Sequence, residues 1–341
     1  MRIEEKAPVR YELPFDDSPK LESHFHITFL YSIISANIGD KYYPWICNQY
    51  VNCALDVSGN NVKFLLPEDD NGSMAINLTS YQFIELSKKT YREVIDIPLL
   101  FKNIISSGYY INGSFCAKSI SDEYLCNSLD GKGDYVMTGY DDLQKVFILK
   151  GFNNHNKLKT FYVSYELFIS ALLEIQRKVI RLHIWNFNSI EELSVDCNKL
   201  AMQLGEYINS SSNSGLKNRI YGVDAIKKLC DNIESQIDSK RSVDELFIKN
   251  IFEHKWFMFE RIKYLVQMQY IDIKYLQSFE SIYHLFSESL SSLKKYNQVQ
   301  DATMAYKAIK DIREGLNEEI ECISYIKNNL ITSDSKGKIC E

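Results

Sequence analysis

The sequence contains no proline after Pro98, and this absence divides the chain into two parts. All six prolines lie in the first 98 of the 341 residues, and nine of the fourteen glycines lie at or before Gly151. Proline and glycine interrupt helices and favour turns. The first part is therefore predicted to be rich in strands and turns, and the second part to be almost wholly helical after Ser164.

The sequence also lacks long apolar runs and any excess of basic residues. No uninterrupted apolar stretch approaches the roughly 20 residues of a membrane-spanning helix, and the first residues, MRIEEK, lack the apolar core of a signal peptide. The 39 basic residues are outnumbered by 45 acidic ones, which gives a net charge of -6. We therefore predict a cytoplasmic protein whose partners include neither membranes nor nucleic acids.

The eight cysteines form no C-x-x-C pair, and no group of them lies near histidines at zinc-binding spacing. The sequence also contains no phosphate-binding, dinucleotide-binding, zinc-protease or serine-hydrolase motif. We therefore expect buried, reduced thiols, and we predict no metal site and no cofactor.

The first part of the chain has the pattern of an α+β domain. A mostly buried helix is predicted from His24 to Asn37, and Gly39-Asp40 provides its stop. Short apolar runs predict strands at 62–66, 109–117, 135–138, 145–149 and 160–163. The strands at 135–138 and 145–149 flank Gly139–Asp142, whose composition is typical of a hairpin turn. We predict that residues 1–165 form this domain around an antiparallel sheet.

The second part has helical periodicity. Ser242 and Glu245 match a capping box at a helix start. Two apolar stripes at helical spacing follow, which predict core or helix–helix seams: Phe247, Ile251, Met258, Ile262 and Leu265; then Ala305, Ile309, Ile312, Leu316, Ile320 and Ile323. We predict a helical domain over 166–331 and a disordered polar tail over 332–341.

Four segments together resemble one known family. They are FHITFLYSIISANIGDKYYPWI, IISSGYYINGSFC, GDYVMTGYDDLQKVFIL, and NRIYGVDAIKKL with FEHKWFMFERIKYL, which together cover most of the chain from about Leu21 to about Leu265. In this order and spacing they resemble the butirosin biosynthesis protein H-like family. The resemblance implies a papain-like, cysteine-peptidase-type N-terminal domain followed by a mostly α-helical domain.

The resemblance also implies a thiol at the start of the first helix and a histidine on a strand. A helix N-terminus and an imidazolium lower the pKa of such a thiol, and the thiolate attacks an acyl group. In this sequence the thiol position falls at Phe25 or His26, and the histidine position falls at Gly133 or Asp134. Neither a cysteine nor a histidine is present where the family requires it. The catalytic pair is therefore predicted to be degenerate.

Three other residues are candidates for a rearranged site. His24 lies at the helix start and, with His26 and Asp134, is able to supply a His–Asp base or part of a metal site. Cys116 is a candidate displaced thiol. Asp141 is a candidate as well, although its position in the GYDD turn favours capping of that turn. His254 is expected to pack within a helix.

These observations leave three hypotheses. The first is a non-catalytic family member in bacterial peptide or aminoglycoside natural-product biosynthesis, which binds a peptidyl or acyl chain, a carrier protein or a catalytic paralogue. The second is an active acyltransferase or amide-bond-forming enzyme with displaced catalytic residues. The third is a structural protein whose cleft is filled.

Overall fold

The structure of the chain is a computed structural model that describes most of the sequence. The described residues are 9–21, 25–56, 63–65, 79–87, 96–120, 132–155, 157–174, 179–187, 193–212 and 218–334. The helices are α1 (Phe25–Ile38), α2 (Tyr43–Cys47), α3 (Ile97–Ser106), α4 (Ala117–Ile120), α5 (Tyr165–Glu174), α6 (Cys197–Ile208), α7 (Gly222–Asp238), α8 (Glu245–Gln267), α9 (Ile273–Val299) and α10 (Ala302–Asp334). The strands are β1 (Arg10–Glu12), β2 (Ala54–Asp56), β3 (Lys63–Leu65), β4 (Thr79–Ser87), β5 (Tyr109–Cys116), β6 (Lys132–Asp141), β7 (Val146–Phe152), β8 (Leu158–Ser164), β9 (Val179–Phe187) and β10 (Arg219–Tyr221).

The described chain combines helices with antiparallel sheets and divides into two compact units. The first unit contains Met1–Asp40 and Ala75–Glu191, and the second contains Lys41–Met74 and Glu192–Glu341. This division differs from the predicted boundary at residue 165. The reason is that β9 joins the sheet of the first unit, whereas the segment that carries α2, β2 and β3 belongs to the helical unit.

The first unit is built on one large antiparallel sheet. Its strand order is β4-β9-β5-β6-β7-β8, and β1 pairs with β6. Helices α3 and α5 cover one face, where the Phe168 ring lies 5.3 Å from Tyr135 and 5.2 Å from Phe147. Helix α1 lies on the other face through Phe29 and Ile33, both fully buried. An α+β domain with an antiparallel sheet is therefore confirmed.

The second unit is a helical bundle with a small three-stranded sheet in the order β10-β2-β3. Helix α10 contacts α6, α7 and α9, and α8 contacts α9 and α2. The side chains of both predicted apolar stripes are buried, apart from the partly exposed Ile320. Within the described ranges, no helix combines the length and apolar character needed to cross a bilayer.

Aspartate side chains begin several of the helices. Asp96, Asp196, Asp244 and Asp272 each accept a backbone N–H from the first turn of α3, α6, α8 and α9 respectively. Each bond satisfies one of the free donors at a helix start. The predicted capping box at Ser242 is therefore wrong, because Asp244 is the residue that caps α8.

Several other predicted elements are confirmed and some are corrected. The helix predicted at 24–37 is α1, the strand at 109–117 is β5, and β6 and β7 form the predicted hairpin. The hairpin turn lies at 142–145 rather than 139–142, because Gly139–Asp141 continue β6. Helix α10 extends to Asp334, into the segment predicted as a tail, and 335–341 lie outside the described residues.

The prediction of an almost wholly helical second part is wrong at β9. This nine-residue strand pairs with β4 along its length and with β5 over Tyr109–Asn112. Its apolar residues Ile180, Leu182 and Ile184 alternate with polar ones, which is the period of a strand covered on one face. The missing prolines and glycines indicated uninterrupted elements, and a long strand satisfies that pattern as well as a helix does.

Candidate functional site

The structure describes the two positions of the expected catalytic pair to different extents. Phe25 is the first residue of α1 and His26 is the second, but their side chains, like the whole of His24, lie outside the described residues. Gly133 is buried near the start of β6, and the neighbouring Asp134 side chain is partly exposed. At these positions the structure therefore describes the residues of strand β6 but not the side chains of helix α1.

A row of polar residues crosses three neighbouring strands on one face of the large sheet. Asn112 and Ser114 are two residues apart on β5, so their side chains share a face. Asp134 of β6 lies directly opposite Ser114, and His183 of β9 lies directly opposite Asn112. We call these four residues the polar row. It contains a carboxylate, a hydroxyl, an amide and an imidazole.

Hydrogen bonds fix three members of the polar row. The Ser114 hydroxyl donates to Asp134 Oδ1 at 2.5 Å, and the buried Asn112 amide donates to the Tyr135 carbonyl at 2.8 Å. Ser114, Asp134 and His183 are partly exposed. The row therefore presents an oriented carboxylate–hydroxyl pair at the surface of the sheet.

Helix α1 lies on the same face as the polar row. The Phe29 ring is 5.8 Å from that of Phe152, and Gly151 pairs with Tyr135. Phe152 therefore lies at the level of Asp134 and Ser114. At its other end, α1 is fixed by Asn37, which donates to the Tyr110 hydroxyl at 3.2 Å. The first half of α1 thus borders the sheet end that holds Asp134.

Cys116 lies on the same face of the sheet as the polar row, but it is too far from the His183 imidazole to pair with it. It lies at the end of β5, opposite Lys132, and is partly exposed. His183 lies opposite Asn112, four residues back along the strand, which corresponds to about 13 Å at roughly 3.3 Å per residue. A direct Cys116–His183 hydrogen bond is therefore excluded in this arrangement.

Burial makes four other described thiols poor nucleophiles. It raises the pKa of Cys47, Cys53 and Cys230 to about 12 and that of Cys322 to about 11. A pKa of about 12 instead of 9.0 lowers the thiolate population near neutral pH by roughly 1000-fold. We expect iodoacetamide to spare these four cysteines in the folded protein at pH 7. Peptide mass spectrometry with and without urea measures this, and fast native labelling of any one of them would contradict it.

Asp141 and His254 have structural partners. Asp141 Oδ1 accepts the backbone N–H groups of Leu143 at 2.9 Å and Gln144 at 3.1 Å, as expected of a capping aspartate. The Nε2 atom of the buried His254 lies 3.1 Å from the Val51 carbonyl oxygen. Burial, together with the charge of Lys255, holds the pKa of His254 well below its usual range. Within the described part of the chain, no three His, Cys, Asp or Glu residues are grouped so that they could hold a metal ion.

Of the polar row only Asp134 was predicted as a site residue, and His183 is the most notable of the three that were not. It lies in the strand that was predicted as helix, although the alternation around it was a usable signal. Ser114 lies within a correctly predicted strand, but its partner across the sheet is twenty residues away. A single sequence does not provide that register.

No protein-family model matches the sequence, and no curated protein is significantly similar to it. The family resemblance found in the residues therefore remains a prediction.

Proposed function

We propose that this protein is a non-catalytic member of the butirosin biosynthesis protein H-like family, with a papain-like N-terminal domain. In this proposal it acts in the bacterial cytoplasm, in peptide or aminoglycoside natural-product biosynthesis. It binds a peptidyl or acyl chain, a carrier protein or a catalytic paralogue. The observation that supports this best is the Ser114–Asp134 pair, because Asp134 is one of the two positions, with Gly133, at which the resemblance places the family's histidine.

The polar row is suited to binding a chain with amide and carbonyl groups. Asp134 is an acceptor, the Asn112 amide has an acceptor oxygen and a second N–H besides the one donated to Tyr135, and the His183 ring provides a donor or an acceptor according to its tautomer. The residues of the polar row lie in register on neighbouring strands, and the Phe29 and Phe152 rings lie on the same face of the sheet. Polar groups bordered by aromatic rings are typical of sites that orient a mostly apolar ligand.

The alternative is an acyltransferase or amide-bond-forming enzyme with displaced catalytic residues. One observation favours it, namely that a hydroxyl and an imidazole occur in a single row. The geometry is less favourable. His183 is the diagonal neighbour of Ser114, with about 7–8 Å between such positions, whereas a general base needs about 3 Å. The Ser114 hydroxyl instead donates to Asp134.

One experiment measures binding and turnover together. The probe is the N-acetylcysteamine thioester of alanyl-alanine, whose binding is followed by ligand-observed NMR and whose thiol release is followed with a chromogenic disulfide. We expect binding without release above the buffer rate. Ser114→Ala and Asp134→Asn should each weaken binding about tenfold, because the first removes the hydrogen bond that orients the Asp134 carboxylate and the second removes the charged acceptor itself.

The matched control is Ser170→Ala, which removes an exposed hydroxyl from α5 and should leave binding unchanged. If Ser114→Ala and Asp134→Asn bind the thioester as wild type does, or if no binding is detected, the proposal fails. Thiol release that disappears in Ser114→Ala would establish the enzymatic alternative instead.

A further inference from the structure

A groove follows the pair of long helices α9 and α10 in the helical unit. The two helices are consecutive and in contact. The groove encloses about 560 Å³, and its residues come from Lys274 to Ile282 on α9 and from Glu318 to Tyr325 on α10. This volume lies within the range of small-molecule sites.

Two carboxylates that have no partner among the described residues line the α10 side of the groove. Glu318 and Glu321 are three residues apart, so they share one helix face, and both are exposed. Across the described ranges of the chain, neither forms an ion pair or a side-chain hydrogen bond. Glu314, one turn earlier, lies 3.5 Å from the Lys310 ammonium. The groove thus contains two neighbouring α10 carboxylates that form no ion pair within the described residues.

Two tyrosines lie in the same groove as these carboxylates. Tyr325 is one turn beyond Glu321 and is 62% exposed, whereas Tyr275 on α9 is partly buried. The Lys274 ammonium lies 5.0 Å from the centre of the Tyr275 ring. This is the geometry of a cation–π contact. The groove therefore already accommodates one amino group against an aromatic face.

We propose that this groove binds an aliphatic polyamine. Its ammonium groups pair with Glu318 and Glu321, and its methylene chain packs against the exposed Tyr325 ring and the buried Ile282. A ligand with several amines matches two carboxylates on one helix face, while an anion would be repelled by them. Lys274 lies in the same groove and competes with the ligand for these charges.

Spermidine is the probe, and isothermal titration calorimetry at low ionic strength is the measurement. The double variant Glu318→Gln/Glu321→Gln should bind spermidine about tenfold more weakly, since it removes two exposed ion pairs. Lys274→Gln should bind it severalfold more tightly, because the competing cation is gone. Opposite effects of two surface substitutions are not expected from a change in folding, which circular dichroism checks for each variant.

The matched control is Glu314→Gln, which removes the same charge outside the groove and should leave the affinity for spermidine nearly unchanged. An equal loss of affinity in Glu314→Gln and in the double variant would mean that spermidine responds only to net charge. That result overturns the proposal, as does the absence of spermidine binding to the wild-type protein or unaltered affinity in Lys274→Gln.

Discussion

Replacing Lys255 with methionine is expected to lower the free energy of unfolding of the helical unit by about 3–5 kcal/mol. Lys255 is 1% exposed, and its ammonium lies 2.5 Å from Oε2 of Glu319, which is fully buried. The ammonium also donates to the Tyr207 hydroxyl at 2.7 Å. Removing it leaves the Glu319 carboxylate in the core without its cation, and that uncompensated charge causes the loss.

The contacts around Lys255 form a buried network that joins four helices. Breaking this network is therefore expected to destabilise the helical unit strongly. Tyr207 is on α6, Lys255 on α8, Glu319 on α10 and Phe286 on α9, with the Phe286 ring 4.6 Å from the Lys255 ammonium. The Tyr207 hydroxyl donates in turn to Glu319 at 2.9 Å. Burial and the nearby carboxylate raise the pKa of Tyr207 well above 10.0, so this tyrosine remains a neutral donor.

A double-mutant cycle separates the ion pair from the packing around it. Lys255→Met and Glu319→Leu should each be strongly destabilising, and the double variant should recover about half of the summed loss, because no charge is then buried. Urea unfolding measures all three. The control is Lys310→Met, in an exposed pair with Glu314, with an expected cost below about 0.5 kcal/mol. Additive losses in the cycle would show that the two groups do not act as a pair.

Local sequence patterns predicted those helices and strands that depend only on residues close together in the sequence. The α1 helix is mostly apolar and stops at Gly39, which has a φ of +54°, so both the helix and its boundary could be predicted from the sequence. The apolar stripe that begins at Phe247 identified α8, because its spacing defines one face. The β6–β7 hairpin was predictable for the same reason, since its partners are adjacent in sequence.

The polar row and the buried network depend on contacts between distant parts of the chain. His183 lies opposite Asn112, and Glu319 lies beside Lys255, sixty-four residues away. Glu319 lies on the apolar stripe of α10, three residues after Leu316 and four before Ile323, whereas Glu318 does not, so helical spacing indicates its burial but not its partner. Its burial follows from the position of α10 between other helices, and that position is set by the packing of the whole bundle. Pattern reasoning therefore found the elements but not these pairs.

Gly222→Ala is expected to be as damaging as the loss of Lys255, at about 3–5 kcal/mol. Gly222 joins β10 to α7 with a φ of +58°, and a Cβ atom there would lie 2.1 Å from the carbonyl oxygen of Tyr207 and 3.1 Å from the Cα of Ser210. Both are backbone atoms that cannot rotate away. Gly222 also donates its N–H to the Cys53 carbonyl at 2.8 Å, which restricts movement on the other side.

Two further variants identify the cause of that loss. Asparagine tolerates the left-handed conformation better than alanine does, so Gly222→Asn would retain most of the stability if backbone strain alone were responsible. Because its Cβ meets the same carbonyl, we expect Gly222→Asn to be nearly as destabilising as Gly222→Ala. Gly205→Ala, in the interior of α6, should instead raise the free energy of unfolding by about 0.5–1 kcal/mol. The reason is that its Cβ would contact only the Lys327 side chain, at 3.5 Å. Urea unfolding of the three variants measures these differences, and a Gly222→Asn protein as stable as wild type would show that the close approach to Tyr207 is not what requires glycine.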